Sequence, residues 1–222
     1  MPNFSTPAPI SAVLDIPAGS IRFTAAEQDA TTVEILPADA AKSRDVKAAE
    51  DAKVEYADGV LRIEVAAKNQ YFGPTGSVAV TVQLPAGSQV EVKAASAELR
   101  ATGRYGDFVI KSEHGSIDLD DVASARITTA AGDVSVGRLN GPAEIRTSKG
   151  DIRIAEAVRG DVVLRTDAGN VEIGTAAGVS ATLDAGTSSG RISNALNNTE
   201  GAGAELTIHA TTSVGDIVAR SL

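Results

Sequence analysis

Apolar and polar positions in the second half of the chain alternate in short runs, and the runs recur around a glycine. The clearest copies are centred on Gly115, Gly132, Gly150 and Gly169, with looser copies at Gly190 and Gly215. Their spacings are 17, 18 and 19 residues, rising to 21 and 25 toward the end. A period near twenty residues is typical of stacked repeats, in which each unit buries its apolar face against its neighbours.

The positions within one copy predict two short strands. Apolar residues stand two and four positions after the glycine, as at Ile152 and Ile154, and five and seven positions before it, as at Ile145 and Ala143. Polar residues fill the intervening positions, which is the period-two alternation of a strand with one buried face. The glycine lies in the turn between the strands. We therefore predict an all-β protein, with a β-solenoid or β-helix-like stack over residues 96–222.

The first part of the chain, residues 1–95, predicts a less regular β-rich region that continues into the repeats. Asp58 and Gly59 stand between two alternating runs, which is a strong signal for a β-hairpin. The tetrapeptide Pro-Ala-Gly-Ser occurs at 17–20 and again at 85–88, and this composition indicates turns between strands.

Two segments of this part lack the alternation. Residues 39–52 are rich in Ala, Lys, Glu and Asp and predict a short helix or a loop, and residues 68–76 predict an exposed loop. The loop contains an adjacent aromatic pair, Tyr71 and Phe72. Because exposed aromatic side chains concentrate binding energy at interfaces, the pair is a candidate anchor for a partner; packing back onto the core is the alternative.

Composition limits the partners. The net charge is −9, and an acidic protein repels phosphate backbones and anionic lipid, so we expect neither nucleic acid nor membrane as a partner. No cysteine is present, which excludes disulfides. The first residues show no signal-peptide pattern and no stretch is long and apolar enough for a spanning helix, which together predict a cytoplasmic protein.

The chain offers little for catalysis. Its two histidines, His114 and His209, are expected to face solvent as structural residues, and no motif for nucleophilic, metal or nucleotide chemistry is present. We therefore predict no enzymatic activity, no catalytic residue and no cofactor.

Aspartates near the turns leave two interpretations. One is a calcium site formed by Asp118, Asp120 and Asp121, or a glycoside-hydrolase pair formed by Asp133 and Asp151. The other is structural, with each aspartate hydrogen-bonding its own turn. The repeat differs from the calcium-binding nonapeptide, which favours the structural interpretation and no bound metal.

Outward-facing positions of the stack supply the candidate interaction surface. Equivalent residues of successive copies form ladders, and the basic members are Lys111, Arg146, Arg153 and Arg165. The last strand, residues 216–220, ends the pattern with no evident cap. Because an open strand edge invites pairing with another chain, we predict that a homodimer forms through this C-terminal edge.

The repeats and turns resemble a bacterial family of domains of unknown function whose members are labelled adhesins and are related to head-GIN and toast-rack domains. The matching motifs are Leu-Pro-Ala-Gly-Ser at 84–88, Asp-Gly-Val-Leu at 58–61 and Lys-Gly-Asp-Ile at 149–152. The resemblance spans essentially the whole chain. It implies a β-solenoid platform of the kind that accompanies envelope-stress or regulatory systems, frequently with membrane anchors.

These observations favour a non-enzymatic scaffold or protein-interaction module of a bacterial cytoplasm, linked to stress or regulatory signalling through a protein partner yet to be identified. One alternative is a surface adhesin whose leader is missing from this sequence. The other is a carbohydrate-active β-helix enzyme that uses Asp133 and Asp151.

Overall fold

The computed structural model describes residues 2–66 and 76–222, which divide into two compact units, Met1–Ser116 and Ile117–Leu222. Both units consist almost entirely of strands, which confirms the all-β, solenoid-like fold class. Tyr71, Phe72 and all of the predicted loop except Gly76 lie outside the described residues.

In its described residues, the first unit contains seven strands and one helix. In chain order they are β1 Asn3–Ser5, β2 Ser11–Ala26, β3 Ala30–Pro37, α1 Ser43–Glu50, β4 Lys53–Ala57, β5 Val60–Glu64, β6 Val78–Pro85 and β7 Gln89–His114. Strand β2 pairs in parallel with β7 on one side and with β5 and then β6 on the other. The pairs β1–β3, β3–β6 and β4–β5 are antiparallel.

Local signals in this unit have different outcomes. Asp58 and Gly59 form the tight turn of the β4–β5 hairpin with φ of 52° and 77°, as their sequence predicted. The Pro-Ala-Gly-Ser at 85–88 separates β6 from β7, but the copy at 17–20 lies within β2. There Gly19, with φ of 142°, passes so close to Val78 that a Cβ would overlap its carbonyl oxygen. Glycine therefore lets β2 continue where a turn was predicted.

The ambiguous segment at 39–52 contains the helix α1. Its Asp45 is buried and its Oδ1 accepts a hydrogen bond from the backbone N–H of Ser77 at 3.0 Å, which ties the helix to the start of β6. Just before the helix, the Ala41 N–H and the Lys42 ammonium lower the pKa of the exposed Asp39 carboxyl. Within the described ranges, no helix has the length and apolarity needed to span a membrane.

The second unit is the regular part of the molecule. Its strands are β8 Ile117–Ala131, β9 Val134–Leu139, β10 Ala143–Lys149, β11 Ile152–Ala157, β12 Gly160–Ala168, β13 Val171–Thr175, β14 Ala181–Ser189, β15 Ile192–Ala195, β16 Leu206–Val214 and β17 Ile217–Ser221, with a 3-10 turn at Gly201–Gly203.

All strand pairs of this unit are parallel and form two ladders. The first ladder runs β8 (residues 125–131), β10, β12, β16, β14. The second runs β8 (residues 117–122), β9, β11, β13, β17, β15. One coil is thus a strand of the first ladder, a glycine turn and a strand of the second. Alternate side chains point inward, and Ile145, Ile152 and Ile154 are fully buried as the pattern predicted.

The spatial order of the coils departs from the chain order. The last coil, β16 with β17, lies between the coil β12–β13 and the coil β14–β15. The prediction that residues 216–220 form an open edge is therefore wrong, because β17 is paired on both sides. Any dimer through that strand would find no free backbone edge there. The outermost coil at this end is β14 with β15.

Candidate functional site

Three hydrogen-bond ladders fix the coils against each other at the glycine turns. The backbone N–H groups of four turn glycines donate to a carbonyl of the next coil in the stack: Gly132 to Lys149, Gly150 to Ala168, Gly169 to Val214 and Gly215 to Ser189, all at 2.9 Å. A Cβ at Gly169 would lie 2.0 Å from the carbonyl oxygen of Gly150. Only glycine permits this approach, so the repeating glycines set the spacing of the stack.

The aspartates next to these glycines, together with Asn170, form the second set of hydrogen bonds, which we call the Asx ladder. Asp133 Oδ1 accepts the backbone N–H of Asp151 at 2.8 Å, and Asp151 Oδ1 accepts that of Asn170 at 2.7 Å. In the next two coils, Asn170 Oδ1 accepts the backbone N–H of Asp216, and Asp216 Oδ1 accepts that of Arg191. The predicted bonds to the residue's own turn are therefore replaced by bonds to the next coil, because the stacked turns bring that N–H into reach.

A threonine ladder is the third set, and the sequence analysis missed it. The members share one position, three residues before the turn glycine, and their hydroxyls donate to a glycine carbonyl of the adjacent coil: Thr147, Thr166, Thr187 and Thr212. Thr166 is 1% exposed, and its bond to Gly150 is 3.0 Å long. Recurrence of threonine at one register position was the signal that could have revealed it.

The aspartates of the candidate calcium site are spread along one strand. Asp118, Asp120 and Asp121 lie along strand β8 and not in one turn. Asp121 Oδ1 accepts a hydrogen bond from Asn140 at 2.6 Å. Across residues 2–66 and 76–222, no group of His, Cys, Asp and Glu side chains is arranged to hold a metal ion.

The two histidines are exposed, as expected. His114 ends β7 beside the Gly115 turn, and His209 lies on β16. His209 Nδ1 is 3.3 Å from Asp184 Oδ2 on the neighbouring strand β14. The contact joins the last coil to the outermost coil.

The four basic residues of the predicted interaction surface lie on four different strands. Lys111 lies on β7 in the first unit, and Arg153 lies on β11 in the second ladder. Arg153 is paired with Glu172 at 3.8 Å, and Glu172 also binds Arg220 at 2.9 Å. The charge of Arg153 is thus compensated within its own ladder.

Arg146 and Arg165 lie side by side on neighbouring strands. They occupy directly opposite positions on β10 and β12, and both side chains are exposed on the outward side of the first ladder. Arg146 is held by Glu144, with Nη2 to Oε1 at 2.8 Å, and Arg126 approaches the same carboxylate at 3.7 Å. Among the residues that the structure describes, Arg165 has no carboxylate within ion-pair distance.

The flanking strands complete a polar strip, which we call the arginine strip. It consists of the opposite residues of four adjacent strands: Thr128, Arg146, Arg165 and Thr211. Parallel strands are about 4.8 Å apart, so four donor side chains follow one another at this interval. The strip therefore places two guanidinium groups and two hydroxyls on one outward face.

Solved structures of other bacterial proteins have a similar fold. One from Bacteroides fragilis, named a "putative adhesin", is 14% identical to this chain, with a TM-score of 0.62, over 98% of this chain and 95% of its own. Another of the same name from Parabacteroides distasonis is also 14% identical, with a TM-score of 0.50 and the same coverage. At this identity the likeness establishes the fold alone.

Among curated proteins, none matches the chain. A family model, Toastrack DUF4097, matches residues 13–219 and thus nearly the whole sequence. The glycine turns described above lie within that match, and the resemblance noted from the sequence motifs is confirmed. The chain belongs to the Toastrack DUF4097 family.

Proposed function

We propose that this chain is a non-catalytic binding module that contacts an acidic protein partner through the arginine strip. The observation that carries the proposal is the register of Arg146 against Arg165. Like charges directly opposite each other on neighbouring strands destabilise a sheet. Glu144 compensates Arg146, but nothing described compensates Arg165. A carboxylate of a partner would relieve the repulsion.

The chemistry of arginine suits such a contact. A guanidinium presents several N–H donors in a plane and binds carboxylates through two parallel hydrogen bonds. The hydroxyls of Thr128 and Thr211 lie on either side and can donate to the same group. Because parallel pairing on both sides fixes β10 and β12, the two guanidinium stems start from rigid positions, and little backbone ordering accompanies binding.

The roles of Asp133 and Asp151 support a non-catalytic function. Each carboxylate accepts a backbone N–H of the next coil, so the pair that a carbohydrate-active enzyme would require is part of the stack. The fold likeness to proteins named adhesins supports a second form of the proposal, in which the same strip binds its partner at the cell surface. A cytoplasmic scaffold linked to stress or regulatory signalling is the first form.

The test uses poly-L-glutamate as a defined acidic polypeptide and measures its binding to the intact chain by surface plasmon resonance at low and moderate salt. We expect the double change R146Q and R165Q to weaken binding by about tenfold or more, because two charge-assisted contacts are lost. R153Q is the matched control, since this arginine is already paired with Glu172 on the other ladder.

Two results would contradict the proposal. One is equal weakening by R153Q, which would indicate general charge attraction. The other is no measurable binding by the unchanged protein at low salt. Protease treatment of intact source cells, followed by immunoblotting, then separates the two forms: loss of the protein supports the surface form, and full protection supports the cytoplasmic form.

A further inference from the structure

We propose that residues 176–205 are an accessory coil that covers a complete stack of four coils and prevents a second copy of the chain from pairing with the edge beneath, β16 with β17. The accessory coil consists of β14, β15 and their connections. The four coils below it are β8–β9, β10–β11, β12–β13 and β16–β17.

The first support is that the four coils form an unbroken series without the accessory coil. Thr166 donates to the carbonyl of Gly150, and Thr212 continues the series to that of Gly169 at 2.9 Å. The Asx ladder runs the same way, from Asp151 through Asn170 to Asp216. The coil β16–β17 therefore occupies the position that a direct successor of β12–β13 would occupy.

The connections support the same conclusion. Strand β11 ends at Ala157 and β12 begins at Gly160, so the two residues Val158 and Arg159 join successive coils. Ala157 is in register with Thr175, and Gly160 is in register with Leu206. A two-residue connection from Thr175 to Leu206 would therefore match the connection from Ala157 to Gly160. Residues 176–205 stand in the place of such a connection.

The accessory coil also has a weaker core than the coils it covers. Ile208 and Ala210 of β16 are fully buried, whereas their neighbours Leu183 and Ala185 on β14 are partly exposed. On the second ladder, Ile217 is fully buried and its neighbour Ile192 is 46% exposed. The side chains of β16–β17 lie between two coils, whereas those of the outer coil have a neighbouring coil on one side only, so the outer coil's own apolar residues bury less area.

The two outer strands differ most in how strongly they would attract another strand. β16, Leu206–Val214, has five β-branched residues and no Lys, Arg, Asp, Glu, Gly or Pro. Uncharged, β-branched segments of this kind pair readily with copies of themselves when an edge is free. β14 has two β-branched residues and contains Asp184 and Gly186. Charge and glycine on an edge strand oppose pairing. The accessory coil therefore covers a strand that would pair readily with another chain and exposes one that would not.

The molecule that the accessory coil keeps from the edge of β16 and β17 is a second copy of this chain. Self-pairing of β16 would meet no like-charge repulsion, because its outward residues are Thr207, His209, Thr211 and Ser213. The freed edge would present the same backbone groups that now pair with β14.

A shortened chain tests the proposal. In it the dipeptide Val-Arg, copied from 158–159, replaces residues 176–205. We expect circular dichroism of a β-protein and a mass by light scattering at least twice that of one copy of the shortened chain, under conditions in which the intact chain has the mass of one copy. Adding T211E to the shortened chain is the matched control: the new carboxylate lies opposite Arg165, and it places like charges at a β16–β16 contact. We expect the mass to fall back to one copy.

Several results would overturn the proposal: a folded shortened chain with the mass of one copy, association that T211E does not reverse, or a shortened chain without β-structure. Hydrogen exchange of the intact chain gives a second measurement that needs no deletion. Amides of β14 and β15 should exchange at least about tenfold faster than those of β16 and β17. Equal protection of both coils would mean that the outer coil is an integral part of the stack.

Discussion

The coil β12–β13 and the accessory coil β14–β15 follow the same glycine-centred pattern but lie in different surroundings. The inward residues of the first, such as Leu164 and Ile173, are completely buried between two neighbouring coils. The inward residues of the second have a neighbour on one side only among the described strands, and they are smaller or partly exposed. The same pattern therefore has a different energetic value at the centre and at the end of a stack, because burial depends on neighbours.

Removing an inward isoleucine should give the largest contrast. Ile173→Ala in β13 leaves a cavity between two coils and should lower the free energy of unfolding by about 4 kcal/mol. Ile192→Ala in β15 removes a side chain that is already 46% exposed and should cost less than about 1 kcal/mol. Urea titrations of both variants measure the difference. Equal losses would show that the two coils are buried alike.

Adding a methyl group to a glycine should give the next largest contrast. Gly169→Ala places its Cβ 2.0 Å from the backbone oxygen of Gly150, so the coils must separate, at a cost of about 2 to 3 kcal/mol. Gly186→Ala in β14 meets nothing within 4 Å and should change stability by less than about 0.5 kcal/mol. Thermal unfolding followed by circular dichroism checks both, and a stable Gly169→Ala protein would contradict the close approach.

Loss of a threonine hydroxyl should have the smallest effect. Thr166→Val keeps the shape but removes the hydroxyl of a buried residue that donates to the Gly150 carbonyl, which should cost about 1 kcal/mol. Thr187→Val removes an equivalent bond of 3.0 Å in the accessory coil, where water can replace it, and should cost less than half as much. Urea unfolding curves measure both losses. The comparison requires that the free energy of unfolding of the two variants depends equally steeply on urea concentration. A larger loss at Thr187 would mean that this hydroxyl is the better shielded one.

Sequence patterns predicted the strands of the second unit because alternation and the turn glycine are local properties of each copy. Ile152 and Ile154 point inward, and Gly150 lies in the turn, as their positions indicated. The first copy of Pro-Ala-Gly-Ser was assigned to a turn but lies within β2, because Gly19 allows a close approach to Val78 that no local signal reveals.

The candidate surface was only partly predictable. Outward position could be inferred from alternation for Arg146, Arg153 and Arg165, but their partners could not. Glu172 on the next strand compensates Arg153, whereas the residue opposite Arg165 on β10 is another arginine. Which charges meet across strands depends on register between coils, and register is a long-range property.

By itself, the sequence determined the fold class, the two strands of each coil and the glycine at each turn, since each of these follows from short-range periodicity. Only the tertiary structure decided the order of the coils. Every coil presents the same kind of parallel edge, so the pattern of β16 is compatible with a position beside β12 or beside β14 alone. Burial of Ile208 and Ile217 between two neighbours, and the placing of the weaker coil outside them, is a property of the whole stack.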